Sequence, residues 1–471
     1  YSETASAFGT RGYYSLKLPD TKTDYQPGPY QSDYGLTAAI WSDIPEYEFE
    51  RMRKEKFLNG NFAWTGFDYL GEPTPVRGQK EGAELQVSAR SSYFGIIDLA
   101  GLPKNAFYLY RSLWQEDDRT VHISPHWNWS SGDRVPVIIY TDGDEAELFL
   151  NGRSLGRKAK IDPDSIQPAN FAFGRKVNAT SSEVIQDAGG NVIADHTPDK
   201  AIDGNPQTRW VAENKTFPQV WDVDLGEARR CSRVVIGWDS TAPENEFELL
   251  ASADGKTWTT ISGQRSYVRE QQTIAFEPAQ FRYFKVRVLG HRRGLAASIR
   301  EFEVLDRESR SQDPYFDIVD AYRIRFPAIP YEPGELKTVA YKKGKKIGEA
   351  SVRTADAASV LELKADRTEL KADGMDLCYV TIRLLDAAGN LCPLAMNTVK
   401  LSVTGAGTFM GADNGDQMGL DSFTDEKHTL FYGQAVAVMR SKPGASGLAT
   451  LKVISDTGIE SEVQVRFGDS P

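Results

Sequence analysis

Two stretches far apart in the chain hold side chains whose types could work together. Glu3 stands in Tyr1-Ser2-Glu3-Thr4-Ala5-Ser6, and Trp64 in the aromatic run Asn61-Phe62-Ala63-Trp64-Thr65-Gly66-Phe67-Asp68-Tyr69. A carboxylate can act as a nucleophile or carry a proton, and an indole gives a flat apolar wall. Each also has a plainer reading. A lone glutamate near a chain start is ordinarily a solvated charge, and a tryptophan in such a run ordinarily fills a core.

Other candidates are weaker. His122 and His126 have the spacing of a metal pair on a helix, but Val121, Ile123 and Pro125 argue for extended chain, so metal ligation is not expected there. Asp413-Asn414-Gly415-Asp416 lacks the full twelve-residue calcium-loop pattern, and a tight turn is the expectation. Cys231, Cys378 and Cys392 are too few for a disulfide framework. In a hairpin around Asp386-Ala387-Ala388-Gly389-Asn390, Cys378 would face a residue near Asn397, which argues against a bridge to Cys392.

The elements that must position these residues follow from pattern. Ser42 or Asp43 can cap a helix with Pro45 in its first turn, running to about Lys56. A strand is expected from Asn61 to Phe67, then a long loop through Gly71-Glu72-Pro73-Thr74-Pro75, then the short apolar Tyr93-Phe94-Gly95-Ile96-Ile97. A second helix starts at Pro103, with Ala106, Phe107, Tyr110, Leu113 and Trp114 at helical spacing as its buried face. Residues 1–115 thus read as about two β/α units, whereas a closed (β/α)8 barrel needs eight units in roughly 250 residues.

From about Val121 the pattern changes to short strands with turn signals, and the remainder reads as all-β. Asn151-Gly152 is a two-residue hairpin turn of the kind that tolerates positive φ. Lys342-Lys343-Gly344 is a second turn, with a solvated tip. Residues 116–173 and 307–355 are each too short for a sandwich, and together make one discontinuous immunoglobulin-like domain. Residues 174–306 are a strand-rich guest inserted between its strands, which is tolerable when the guest's ends lie close. Residues 356–471 read as a second immunoglobulin-like sandwich.

Composition narrows the function classes. A net charge of -11 makes nucleic acid a poor partner, and no apolar run is long enough to span a membrane. The chain opens without Met or a signal peptide, so compartment is not read directly.

Residues 1–115 resemble the end of the catalytic barrel of glycoside hydrolase family 2. The resemblance rests on Ser2-Glu3-Thr4-Ala5-Ser6 with Arg11-Gly12, on the run from Trp64 to Pro75, and on Gly95-Ile96-Ile97-Asp98 through Pro103-Lys104. His122 to Trp129 and the strands after it are similar to the domain that follows the barrel in bacterial β-galactosidase-type members. Gly411-Ala412-Asp413-Asn414-Gly415-Asp416 is similar to part of their C-terminal sandwich. The resemblance implies that Glu3 is the nucleophile of a retaining mechanism and that Trp64 lines the sugar site, with Asp68 as a polar substrate contact. It also implies an acid/base glutamate on an earlier strand, upstream of this chain. The chain is therefore expected to be the C-terminal portion of a longer, secreted or periplasmic enzyme, inactive alone and needing no cofactor for catalysis. Its partners would be an oligo- or polysaccharide substrate and the N-terminal remainder of the enzyme.

Relatives acting on glucuronides carry Asn-x-Lys before the Gly-Ile pair, where this chain has Ser92-Tyr93-Phe94. A neutral β-glycoside is therefore expected, galactoside first, with mannoside and glucoside as alternatives. The insert resembles the discoidin, or factor 5/8 type C, family through Lys200-Ala201-Ile202-Asp203-Gly204-Asn205-Pro206-Gln207-Thr208-Arg209-Trp210 and Arg300-Glu301-Phe302-Glu303-Val304. This resemblance implies a structural calcium held by Asp203, Thr208 and Glu301, with turn capping by Asp203 as the rival. Tyr267, His291, Arg292 and Arg293 are candidate sugar contacts. The competing reading is a carbohydrate-binding or docking assembly with no catalysis of its own.

Overall fold

The computed structural model describes residues 5–468 except 27, 56, 77–79, 82–83, 86–87, 116–118, 167–169, 206, 240–244, 265–270 and 307–314. The fold is mostly β and multidomain, with three α-helices among the described residues. It divides into two units, Tyr1–Ser165 with Tyr315–Pro471, and Ile166–Pro314. No helix among the described residues is long and apolar enough to cross a membrane.

Helix α1 (Pro45–Lys54) starts on a proline and carries Glu46 and Glu48 in its first turn, with Arg51, Arg53 and Lys54 in its last. That charge order complements the helix dipole. The expected cap by Ser42 or Asp43 does not form. Ile44 takes the N-cap place without a side-chain bond, because Ser42 Oγ accepts from Ser6 N–H at 2.8 Å and Asp43 is paired with Lys22 and Arg51.

Helix α2 (Asn105–Trp114) also departs from the expected face. The buried stripe runs through Asn105, Leu109 and Ser112, with Tyr110 beside it, while Trp114 is 56% exposed. A polar anchor turns the helix. Asn105 Nδ2 donates to Tyr14 Oη at 3.1 Å and to Ser124 Oγ at 2.8 Å, and these buried bonds outweigh the apolar stripe.

Asn61–Phe67 forms no strand. The backbone there pairs irregularly, parallel at Phe67 with Ile97 and antiparallel at Leu70 with Ser91. Its hydrogen bonds are nonetheless taken up: Asp68 N–H donates to Ile97 O at 2.9 Å and Ile97 N–H to Gly66 O at 3.0 Å.

Beyond residue 120 the first unit holds two pairs of sheets. In the first pair, one sheet orders Ile324–Pro330, Arg134–Thr141 and Val121–Ser124, and the other Lys345–Arg353, Glu335–Lys342, Glu145–Leu150 and Arg153–Ala159. Strands from both sides of the second unit thus share ladders, as in Ile324 opposite Ile139 and Leu336 opposite Leu150. Trp127, Val137, Leu148 and Phe326 are among their common core. The Asn151-Gly152 turn has positive φ at both residues, as the sequence predicts.

The second pair, a four-stranded and a five-stranded sheet built from residues 358–468, closes over Val380, Leu401, Met439 and Phe467. Cys231, Cys378 and Cys392 are all free and buried. The second unit has a six-stranded sheet centred on Gln219–Gly237 and Gln271–His291, packed on Trp210, Trp221, Trp238 and Phe302.

Buried charge joins helix α3 (Tyr315–Tyr322) to α1. Arg323 Nε donates to Glu46 and its Nη2 to Gly35 O at 3.2 Å, while Tyr322 Oη donates to Glu50 at 2.7 Å. Removing one partner leaves the other charge buried and unpaired. Arg323→Ala is expected to lower the stability of the larger unit by about 3–5 kcal/mol, read from the shift of its urea transition. A loss under about 1 kcal/mol, the range of an exposed pair, would contradict this placement.

Candidate active site and inserted-domain site

Glu3 lies outside the described residues, so the site is built from the residues just after it and from the Trp64 run. Phe8 is buried and its ring lies 5.5 Å from Phe94 and 5.4 Å from Tyr25. Phe8, Ala39, Ala89, Tyr93 and Phe94 form one cluster, and Trp64 and Tyr69 pack against it. The stretch after Glu3 and the Trp64 run therefore meet at one aromatic cluster.

Trp64 itself is half-buried. Its Nε1–H donates to Tyr69 Oη at 3.1 Å, with the rings edge to face, and Tyr69 Oη donates in turn to Glu72. Burial, seconded by Glu72, pushes the Tyr69 phenol up to about 12, so it stays a neutral donor. The indole is fixed at its nitrogen and backed by aromatics on one side, which suits a stacking wall.

Asp68 is placed differently from the expectation of a substrate contact. It is buried, with Lys104 Nζ 2.5 Å from Oδ2 and Gly95 N–H donating to Oδ1 at 2.7 Å. Gln417 Nε2 adds a bond at 3.4 Å. Burial pushes its carboxyl up to about 6, and the Lys104 ammonium opposes that rise. Gly95 is required here, since a Cβ would stand 2.1 Å from Asp68 N.

Sequence reasoning assigned no role to Lys104, Asp98, Arg11 or Gln417. Arg11 Nε donates to Asp98 Oδ2 at 2.6 Å, and its Nη2 reaches Asn414 O at 2.6 Å. The available signal was a single charge set among apolar or glycine neighbours, as in Ile97-Asp98-Leu99 and Leu102-Pro103-Lys104. Asp413-Asn414-Gly415-Asp416 forms a turn, with Asn414 Oδ1 accepting from Asp416 N–H at 2.9 Å and Asp413 paired with Arg90 at 3.0 Å.

His122 and His126 each lie against a neighbouring aromatic ring. His122 stacks on Tyr108 at 3.5 Å and His126 on Trp129 at 4.9 Å. Burial pulls them down to about 3 and about 4.

In the second unit, Asp203 shapes its own loop. Asn205 N–H donates to Oδ1 at 2.9 Å, and Thr208 Oγ1 lies 2.8 Å from both carboxylate oxygens. Glu301 faces it, with Oε2 buried and without a hydrogen-bond partner. Burial first, then Asp203, pushes the Glu301 carboxyl from 4.5 up to about 8. Among the described residues no group of three or more His, Cys, Asp or Glu gathers as a metal cage. His291 is buried and its Nδ1 accepts from Arg293 N–H at 3.1 Å; Arg292 and Arg293 are exposed, and Tyr267 lies outside the described residues.

Comparison with known proteins gives these features a family context. Residues 361–464 match glycoside hydrolase family 2 C-terminal domain 5, and residues 200–286 match the NedA-like, galactose-binding domain. Residues 132–177 and 305–348 match a domain of unknown function, DUF4982. The chain is 27% identical over 460 residues to a β-galactosidase of Bacteroides ovatus, covering 95% of this chain and 34% of that protein. It is 31% identical over 147 residues to a β-glucuronidase of Formosa agariphila, covering 31% of this chain and 14% of that protein. The chain thus spans about a third or less of these curated relatives.

Among solved structures, a β-glycosidase from Bacteroides vulgatus superposes with a TM-score of 0.56 at 20% identity, over 99% of this chain and 41% of that one. A family 2 glycosyl hydrolase from Bacteroides cellulosilyticus gives 0.51 at 19% identity, over 90% and 38%. These likenesses concern the fold. The chain is similar to glycoside hydrolase family 2 enzymes, through a match to that family's C-terminal domain 5 near its end and to a galactose-binding domain within it.

Proposed function

We propose that this chain is the C-terminal portion of a retaining glycoside hydrolase acting on a neutral β-glycoside, a β-galactoside first. The observation that carries the reading is the match to a β-galactosidase along 95% of the chain. In this reading residues 1–115 supply the last two units of a (β/α)8 barrel, followed by an immunoglobulin-like domain that hosts a discoidin-like jelly roll, and by a second immunoglobulin-like domain. Ile40, Trp41, Phe57, Phe62, Phe67 and Leu70 are all more than half exposed. An apolar set of that size supports a surface covered by further barrel units.

Mechanism follows from the two-carboxylate scheme. The Glu3 carboxylate attacks the anomeric carbon and forms a glycosyl ester as the bond to the leaving oxygen breaks. A second carboxyl group, supplied by the remainder of the enzyme, gives its proton to that oxygen and then takes one from the water that hydrolyses the ester. The two groups must stand roughly 5–5.5 Å apart. Trp64 stacks on the sugar ring. Asp68 acts with Lys104 as a brace for the loop that follows Trp64, since its buried oxygens are already engaged. Ser92, Tyr93 and Phe94 are buried neutral groups, which supports a neutral sugar over a uronic acid.

The inserted unit is proposed to hold calcium between Asp203 and Glu301. The unpartnered Glu301 oxygen and the facing carboxylate fit a hard cation with oxygen ligands, with Thr208 and backbone carbonyls completing the set. When bound, calcium supplies charge compensation and a fixed loop. Its match to a galactose-binding domain also supports the competing reading, in which the insert binds sugar and the chain has no catalytic part.

Two measurements test these readings. Glu3→Gln in the longer enzyme is expected to lower kcat on aryl β-galactosides by about a thousandfold or more, with folding unchanged. Near-normal turnover would exclude Glu3 as nucleophile. For the insert, the raised Glu301 carboxyl contributes stability fully present below 4.5 and lost as pH rises through about 8. In chelator, the melting temperature of this unit should therefore fall across that window. Calcium should restore it at the upper end, and Glu301→Gln should flatten the pH dependence and remove the calcium response. A melting temperature indifferent to both pH and calcium would contradict the assignment.

A further inference from the structure

A cavity of about 320 Å³ lies inside the larger unit where α2, the strand Val121–Ser124 and the last pair of sheets meet. Its volume sits at the lower end of small-molecule sites, roughly 300–1,000 Å³. Neither Trp64 nor Asp68 lines it. Tyr14, Asn105, His122, His126, Tyr432 and Gln434 are among the residues that line it.

The hydrogen-bond network fixes what this cavity offers. Both amide protons of Asn105 are spent on Tyr14 Oη and Ser124 Oγ, so the group 3.0 Å from His122 Nε2 is the Asn105 carbonyl oxygen. His122 Nε2 must then be the N–H donor, which leaves Nδ1 as an acceptor. His126 Nδ1 accepts from Asn128 N–H at 3.3 Å, which leaves Nε2–H as a donor. Among the described residues neither of these remaining nitrogens has a hydrogen-bond partner, and the Gln434 amide has none either.

The two arginines around this set are paired. Arg11 is spent on Asp98, Phe431 O and Asn414 O, and Arg383 pairs with Glu362 at 3.0 Å. Asp33 is buried and accepts from Asn105 N–H at 3.4 Å. The lining thus presents neutral donors and acceptors between aromatic rings, beside one buried carboxyl group, Asp33, that no cation pairs among the described residues. Hydroxyl groups on a small, partly apolar ring or chain match that pattern.

We propose that this cavity, bounded by Tyr14, His122, His126, Tyr432 and Gln434, is a binding site for a neutral polyhydroxylated molecule of monosaccharide size, separate from the Trp64 site. The inference does not depend on the chain being part of a glycosidase.

The test is titration of the whole chain with D-galactose, D-glucose and glycerol, followed by calorimetry and ligand-observed NMR. At least one probe is expected to bind with a millimolar dissociation constant. His126→Phe keeps the stacking on Trp129 but removes the donor, and Gln434→Leu removes an amide that the fold does not use. Each is expected to weaken that binding by about tenfold, while Trp64→Ala leaves it unchanged. Should His126→Phe fail to fold, judged by its melting curve, Gln434→Leu decides. Failure of all three probes to bind would overturn the proposal and leave a cavity filled by solvent. Binding unaffected by the substitution in the folded variants, or abolished by Trp64→Ala, would overturn it by assigning the sugar elsewhere.

Discussion

The ion pair between Lys104 and Asp68 is the constraint on which the first hundred residues depend. Both side chains are almost wholly buried and 2.5 Å apart. The surrounding chain has little regular ladder to hold it, since its β contacts are mainly isolated bridges. Polar side chains do that work instead. Asp68 also gathers Gly95 N–H and Gln417, and Asp98 gathers Arg11 and Leu102 N–H. Such pairs contribute modestly to net stability compared with an apolar substitute, but losing one partner is costly.

That network also fastens the last sandwich to the first segment. Arg11 Nη2 reaches Asn414 O, Arg90 pairs with Asp413, and Gln417 Nε2 reaches Gly9 O. The fit is tight enough that a Cβ on Gly415, which has φ +78, would stand 2.0 Å from Asp98 Oδ2. The turn at 413–416 is therefore a packing element whose acidic residues face inward to cations and backbone donors.

How much was legible in the sequence depended on what held each element. Where strands alternate and turns need positive φ, as at Asn151-Gly152 and Lys343-Gly344, local chemistry was enough. The mostly β, multidomain character followed from the same signals. Helix α2 was placed correctly but turned wrongly, because Asn105 inward is a tertiary fact that no apolar periodicity encodes. Asn61–Phe67 has a strand-like composition, yet its partners on both sides are loops of changing direction. Trp64 was legible as part of an aromatic run, and it lies against an aromatic cluster. The buried bracing by Lys104, Asp98 and Arg11 was not, since single charges in apolar surroundings carry no address for their partners. Asp203 had two readings in sequence, turn former and cation ligand. The turn is seen directly, while the unpartnered Glu301 oxygen opposite keeps the second as a proposal.

The most direct measurement is covalent trapping on the proposed longer enzyme with a 2-deoxy-2-fluoro-β-galactoside carrying a good leaving group, followed by peptide mass spectrometry. The fluorine slows hydrolysis of the glycosyl ester, so the nucleophile stays labelled. The expected result is time-dependent inactivation with the sugar attached to Glu3. A label on any other carboxylate, with Glu3 unmodified, would contradict the assignment of this chain's glutamate as the nucleophile.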